Sequence, residues 1–142
     1  MKIYVDTSFL VSLYSPDANS AAAARIMKAS RGERFVSVFG ELEVVNAMGL
    51  RVFRKEVSAT QAQASLNDFE KDLRAGIFQL SPLLEQVFER ARQLSRPTTP
   101  KLGTRTADLL HVATALELSV DYLYTFDQQQ RKLAHTVRLK LN

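Results

Sequence analysis

Four acidic side chains, Asp6, Glu43, Asp108 and Asp127, stand in well-separated stretches of the chain. Asp6 closes the apolar run Ile3-Tyr4-Val5, and Asp127 closes Tyr122-Leu123-Tyr124-Thr125-Phe126. Glu43 and Asp108 fall on segments with helical character that follow turn signals. Carboxylates brought together repel, and burial raises their pKa values. A fold tolerates such a cluster most easily when a divalent cation neutralises it.

These four acids meet only if the elements around them carry them to one place. Ile3 to Val5 reads as a short buried strand, followed by a helix over Phe9 to Tyr14 with Thr7 and Ser8 as caps. A turn cluster at 15–20 precedes an alanine-rich helix over 21–29, and 30–34 breaks it. Phe35 to Val38 is a second strand. Helical spacing runs from Phe39 to Lys55, and Ser58-Ala59-Thr60-Gln61 opens another helix, with a capping box, to Leu73. Val52, Phe53 and Phe69 of this helix pair read as core, with a partner or dimer surface as the alternative. Ile77 to Leu80 is a third strand, and Ser81-Pro82 caps a helix over Leu83 to Leu94. Residues 96–103, with Pro97, Pro100 and Gly103, read as the longest loop. Thr106 caps a helix over Ala107 to Leu118, Tyr122 to Phe126 is the clearest strand, Gln128 to Ala134 is helical, and 137–141 is an edge strand. The alternation predicts an α/β fold with a mainly parallel sheet, in one domain spanning 1–142. In such folds sites form outside the carboxyl ends of strands, where Asp6 and Asp127 fall.

The chain has no cysteine, which excludes disulfides, thiolate zinc sites and a Cys nucleophile. No run approaches the roughly 20 apolar residues that span a bilayer, and Asp6 interrupts any signal-peptide core, so a cytoplasmic protein is expected. Nineteen Lys and Arg stand against 15 Asp and Glu, a net charge of +4. Gathering four acids in one pocket leaves the rest of the surface more basic, which suits a polyanionic partner.

Each acid also has a structural reading. Asp6 and Asp127 suit helix caps or turns, Asp108 suits the first turn of a helix, where the macrodipole favours a carboxylate, and Glu43 suits a solvated helix face. Thr7, Ser8, Asn46 and Thr125 are placed to orient carboxylates. Lys101, Arg105 and Arg131 could contact phosphates or simply be solvated. His111, one turn beyond Asp108, reads as a satisfied core residue.

Taken in order, Ile3-Tyr4-Val5-Asp6-Thr7-Ser8, Glu43-Val44-Val45-Asn46-Ala47, Asp108 to Ala115 and Tyr124 to Ala134 resemble the four acidic motifs of the PIN-domain family, in particular VapC-type toxin ribonucleases. The resemblance spans nearly the whole chain. It implies a three-layer α/β/α sandwich and a Mg²⁺- or Mn²⁺-dependent endoribonuclease. Asp6, Glu43, Asp108 and Asp127 are then catalytic, with Asp6, Asp108 and Asp127 at the metal. It further implies an RNA substrate, a homodimer and a small antitoxin partner. Gly103-Thr104-Arg105-Thr106 matches one branch of the family, in which a histidine is expected where this chain has the Pro97 region.

Other chemistries fit less well. An Asp-nucleophile phosphatase wants a second Asp two residues after Asp6, where Ser8 stands. No Gly-rich phosphate loop or nucleophile elbow is present. The remaining alternative is a PIN-like module that binds RNA or protein without cutting.

Overall fold

A computed structural model describes residues 1–142. The chain runs β1 (Lys2–Val5), α1 (Thr7–Tyr14), α2 (Ser20–Ala29), β2 (Glu33–Ser37), α3 (Val38–Phe53), α4 (Ala59–Arg74), β3 (Gln79–Ser81), α5 (Glu85–Leu102), α6 (Thr106–Glu117), β4 (Tyr122–Tyr124), α7 (Gln128–Thr136) and β5 (Lys140–Leu141). The five strands form one sheet in the order β3-β2-β1-β4-β5, and every pairing is parallel.

The alternation of β1 sorts its side chains between two cores. Tyr4 packs with Leu123 and with α5, α6 and α7 through Val87, Leu110, Val112 and Leu133. Ile3 and Val5 pack on the opposite face with α1, α2, α3 and α4 through Phe9, Ala23, Val44 and Phe69. Helices therefore cover both sheet faces, giving the expected α/β/α layering. β1 lies in the middle, and the chain leaves it for β2 on one side and reaches β4 on the other. That change of direction opens a crevice at the carboxyl edge between β1 and β4.

Several local expectations shift. The cap of α1 is Asp6 rather than Thr7 or Ser8, with its carboxylate accepting the Phe9 N–H. Arg105, not Thr106, is the cap residue of α6, and Asp108 Oδ2 accepts the Arg105 backbone N–H at 3.2 Å. The Ser58–Gln61 capping box forms as expected. β4 stops at Tyr124, short of Phe126.

The 96–103 loop is absent, because α5 continues to Leu102 through Pro97 and Pro100. Each proline removes a helix N–H, but both rings face solvent, where water can take the freed carbonyls. Thr98, between them, is buried and its hydroxyl donates to Leu94 O at 2.6 Å. Packing of α5 on α6 outweighs the local turn signal, and the helix ends at Gly103, whose φ of 63° is left-handed. Phe69 is core, but Phe53 is 83% exposed.

Candidate active site

β1 ends by placing Asp6 at the crevice, and the Asp6 N–H extends the ladder to Tyr124 O at 3.1 Å. Asp6 is only 3% exposed. Its Oδ1 accepts from Ser8 Oγ at 2.7 Å and from the Phe9 N–H at 3.0 Å. Burial pushes its pKa above the usual carboxylate range, against the opposing pull of His111, Thr125, Phe9 and Ser8. Ser8 Oγ also accepts the Phe126 N–H at 3.0 Å and lies 3.2 Å from Thr125 Oγ1. These contacts tie the ends of β1 and β4 together.

Beyond β4 the chain turns through Thr125 and Phe126 to Asp127, which caps α7. Asp127 Oδ1 accepts the Gln130 N–H at 2.9 Å, and the Asp127 N–H donates to Thr125 Oγ1 at 3.1 Å. Burial works to raise Asp127, but the Gln130 N–H and the Arg105 guanidinium outweigh it and hold the carboxyl below its usual range.

Asp108 enters from the first turn of α6. Both its oxygens are engaged by Arg105: Nε donates to Oδ2 at 3.0 Å and Nη2 to Oδ1 at 3.1 Å. Nη2 also donates to Asp127 Oδ2 at 2.8 Å. Arg105, read from the sequence as either a phosphate contact or a solvated charge, is therefore bound to two of the four acids. These hydrogen bonds, to Asp108 first and Asp127 second, raise its already high pKa.

Glu43 projects from α3, where Thr7 Oγ1 donates to Oε1 at 2.6 Å and His111 Nε2 lies 2.5 Å from the same oxygen. Burial works to raise Glu43, yet His111, Thr7 and Arg105 together hold it below the ordinary glutamate range. His111 is buried, as expected of a core residue, but it is not idle. Its Nδ1 meets the Tyr4 hydroxyl at 2.8 Å, and Tyr4 meets Ser37 Oγ at 2.9 Å. Because an ionised carboxylate only accepts, the Nε2 proton donates to Glu43. His111 thus positions Glu43 from a helix on the other face of the sheet. Its spacing of three from Asp108 was the available signal.

All four acids line one open cleft of about 640 Å³. Thr7 and Ser8 line it too, and Thr125 stands directly behind them through its bond to Ser8. Asn46 and Lys101 are exposed and lie outside the lining, whereas Ala47 occupies the place on α3 expected for Asn46. Arg131 is spent on Thr125 O at 3.0 Å. Arg54, which no motif in the sequence marks, also lines the cleft; it is spaced seven from Ala47 and eleven from Glu43, hence on the same helix face.

As the side chains sit, no three acidic or histidine groups converge within reach of a single metal ion, because Arg105 stands between Asp108 and Asp127. The donor chemistry nevertheless fits a hard divalent cation. Asp17 adds a fifth carboxylate to the cleft, facing the guanidiniums of Arg54 and Arg105, and Asp6 is buried without an ion-pair partner. Gln130 lines the same cleft, and its buried Nε2 has no hydrogen-bond partner. Water held at the acids would satisfy it.

The fold is shared with several solved structures. VapC20 of Mycobacterium tuberculosis, a toxin that cleaves the sarcin-ricin loop, matches 92% of this chain and 93% of its own at 20% identity, with a TM-score of 0.69. VapBC2 of Rickettsia felis, solved on a DNA fragment from its promoter, matches 100% of this chain and 98% of its own at 17% identity and a TM-score of 0.68. A toxin-antitoxin complex from Klebsiella pneumoniae matches 90% and 88% at 16% identity and a TM-score of 0.63. At these identities the likeness establishes the architecture. No protein of curated function matches the sequence. The PIN domain pattern matches residues 3–136, and the chain belongs to the PIN domain family.

Proposed function

We propose that the chain is a divalent-metal-dependent endoribonuclease that hydrolyses RNA phosphodiesters, and that it is the toxin of a toxin-antitoxin pair. The observation that carries this reading is the meeting of Asp6, Glu43, Asp108 and Asp127 in one open cleft at the carboxyl edge of the parallel sheet. Family membership and the toxin relatives of the same fold support it.

Asp6, Asp108 and Asp127 would hold the Mg²⁺ or Mn²⁺. When bound, such an ion polarises a phosphodiester and lowers the pKa of a coordinated water. Thr7 and His111 fix Glu43 as an ionised carboxylate, able to accept a proton from an attacking water. Ser8 and Thr125 hold the ends of β1 and β4, and so the Asp6–Asp127 spacing. Arg54, on the cleft wall, is a cation available to an RNA phosphate. Lys101 would act only outside the cleft, and Arg131 acts through Thr125. A small antitoxin covering the cleft and a homodimeric, cytoplasmic toxin complete the reading; no helix is long and apolar enough to cross a membrane.

The Arg105 bridge favours a second reading, a PIN-like module that binds RNA or protein without cutting. One experiment separates the two. Structured RNA is incubated with the protein and Mn²⁺ or Mg²⁺, with and without EDTA, beside Asp6→Asn. Metal-dependent cleavage lost in the variant supports the nuclease, and RNA binding without cleavage supports the module.

A further inference from the structure

The geometry points to Arg105 as a resident counter-ion of the acidic cleft, which a divalent cation must displace in order to bind Asp108 and Asp127. This inference rests on the nuclease reading of the site. Three observations carry it. First, one guanidinium satisfies two carboxylates, with three side-chain hydrogen bonds of 2.8 to 3.1 Å. A metal ligand oxygen must turn its lone pairs to the ion, so guanidinium and ion compete for the same oxygens. Second, the Asp108 side chain is 4% exposed, so it requires a cation close at hand. Third, the Arg105 side chain is 58% exposed. It borders the open cleft and can swing out without unpacking the core, whereas Asp108 cannot leave.

The backbone contributes a fixed element. Asp108 Oδ2 accepts the Arg105 N–H at 3.2 Å, so the start of α6 stays capped when the guanidinium departs. Displacement therefore changes one side chain and leaves the fold intact. Once released at the cleft mouth, the guanidinium is free to meet an RNA phosphate, a role the bridged state denies it. Metal loading and substrate affinity are then coupled through a single residue.

The test measures Mn²⁺ affinity by calorimetry on wild type, Arg105→Gln, Arg105→Lys and Arg54→Gln. Arg105→Gln should bind Mn²⁺ about tenfold or more tightly than wild type, the order expected when one charge-assisted partner no longer competes. It should also melt at a lower temperature without metal and gain more from added Mn²⁺. Arg105→Lys, which cannot span both carboxylates, should fall between, and serves alone if the Gln variant does not fold. Arg54→Gln removes a cleft cation that touches neither acid, so it should tighten binding far less. Equal or weaker affinity in both Arg105 variants overturns the displacement while leaving the metal site standing. Equal tightening in Arg54→Gln overturns it as well, by reducing the effect to general electrostatics. If no variant binds Mn²⁺, both this inference and the nuclease reading fall.

Discussion

His111 Nε2 lies 2.5 Å from Glu43 Oε1, and this contact couples two helices from opposite faces of the sheet. α6 supplies the imidazole and α3 the carboxylate. The imidazole is itself fixed by Tyr4 on the central strand. A side chain buried in the core thereby decides where a cleft carboxylate points.

Replacing His111 with Phe keeps a flat aromatic ring, somewhat larger, and removes the hydrogen bonds to Tyr4 and Glu43. It leaves Tyr4 and Glu43 each short of a partner, and should cost about 2 kcal/mol of stability. Glu43→Gln in the same background should then cost less than it does alone, with a coupling of about 1 kcal/mol in a double-mutant cycle. Strict additivity in denaturant titrations would show that the contact does not position Glu43.

Asp6→Asn should separate stability from activity. The amide can still accept from Ser8 and Phe9 but carries no buried charge. Without metal, its Tm should rise by about 3 °C, near 1 kcal/mol. RNA cleavage should fall by about a hundredfold or more. A lower Tm by calorimetry would mean that the Asp6 charge is satisfied in the metal-free protein.

The carboxyl of Glu43 is held below its ordinary value, near 4.5. A lowered carboxylate contributes stability above its unfolded pKa and loses it as pH falls through the folded one. The stability difference between wild type and Glu43→Gln should therefore be greatest at neutral pH and shrink as pH falls below about 4.5. Thermal melts across that window check the sign. A difference that grows on acidification contradicts the assigned direction.

Legibility in the sequence followed the range of the interactions. β1, β4 and the capping box at Ser58 depend on neighbouring residues, and their patterns show in a short window. The 96–103 segment does not, because its helix is held by packing against α6, and Pro97 and Pro100 signal a break that solvent-facing carbonyls make tolerable. Asp6 and Asp127 were legible because strand ends are legible, whereas Glu43 and Asp108, on helices, stood out only through the motifs around them. Arg105 was read as a solvated or RNA-facing charge, since nothing local reveals that Asp127, 22 positions later, shares its guanidinium. Ala47 taking the place expected for Asn46 is a matter of helix phase, where a shift of one residue turns a side chain by about 100°.

Phe53 follows the helical apolar rhythm yet is 83% exposed at the end of α3. Phe53→Ser should leave the unfolding free energy of the isolated chain within about 0.5 kcal/mol of wild type. A concentration-dependent loss of stability in the variant would instead place this ring in a contact between two copies.

The margins of the sheet bear on how the molecule avoids its own kind. One outer strand, β3, has three residues and the other, β5, has two. Neither margin offers a run of free amides and carbonyls long enough to template a foreign strand. Recruitment of another polypeptide by sheet extension is thereby discouraged, and association is left to the helical flanks.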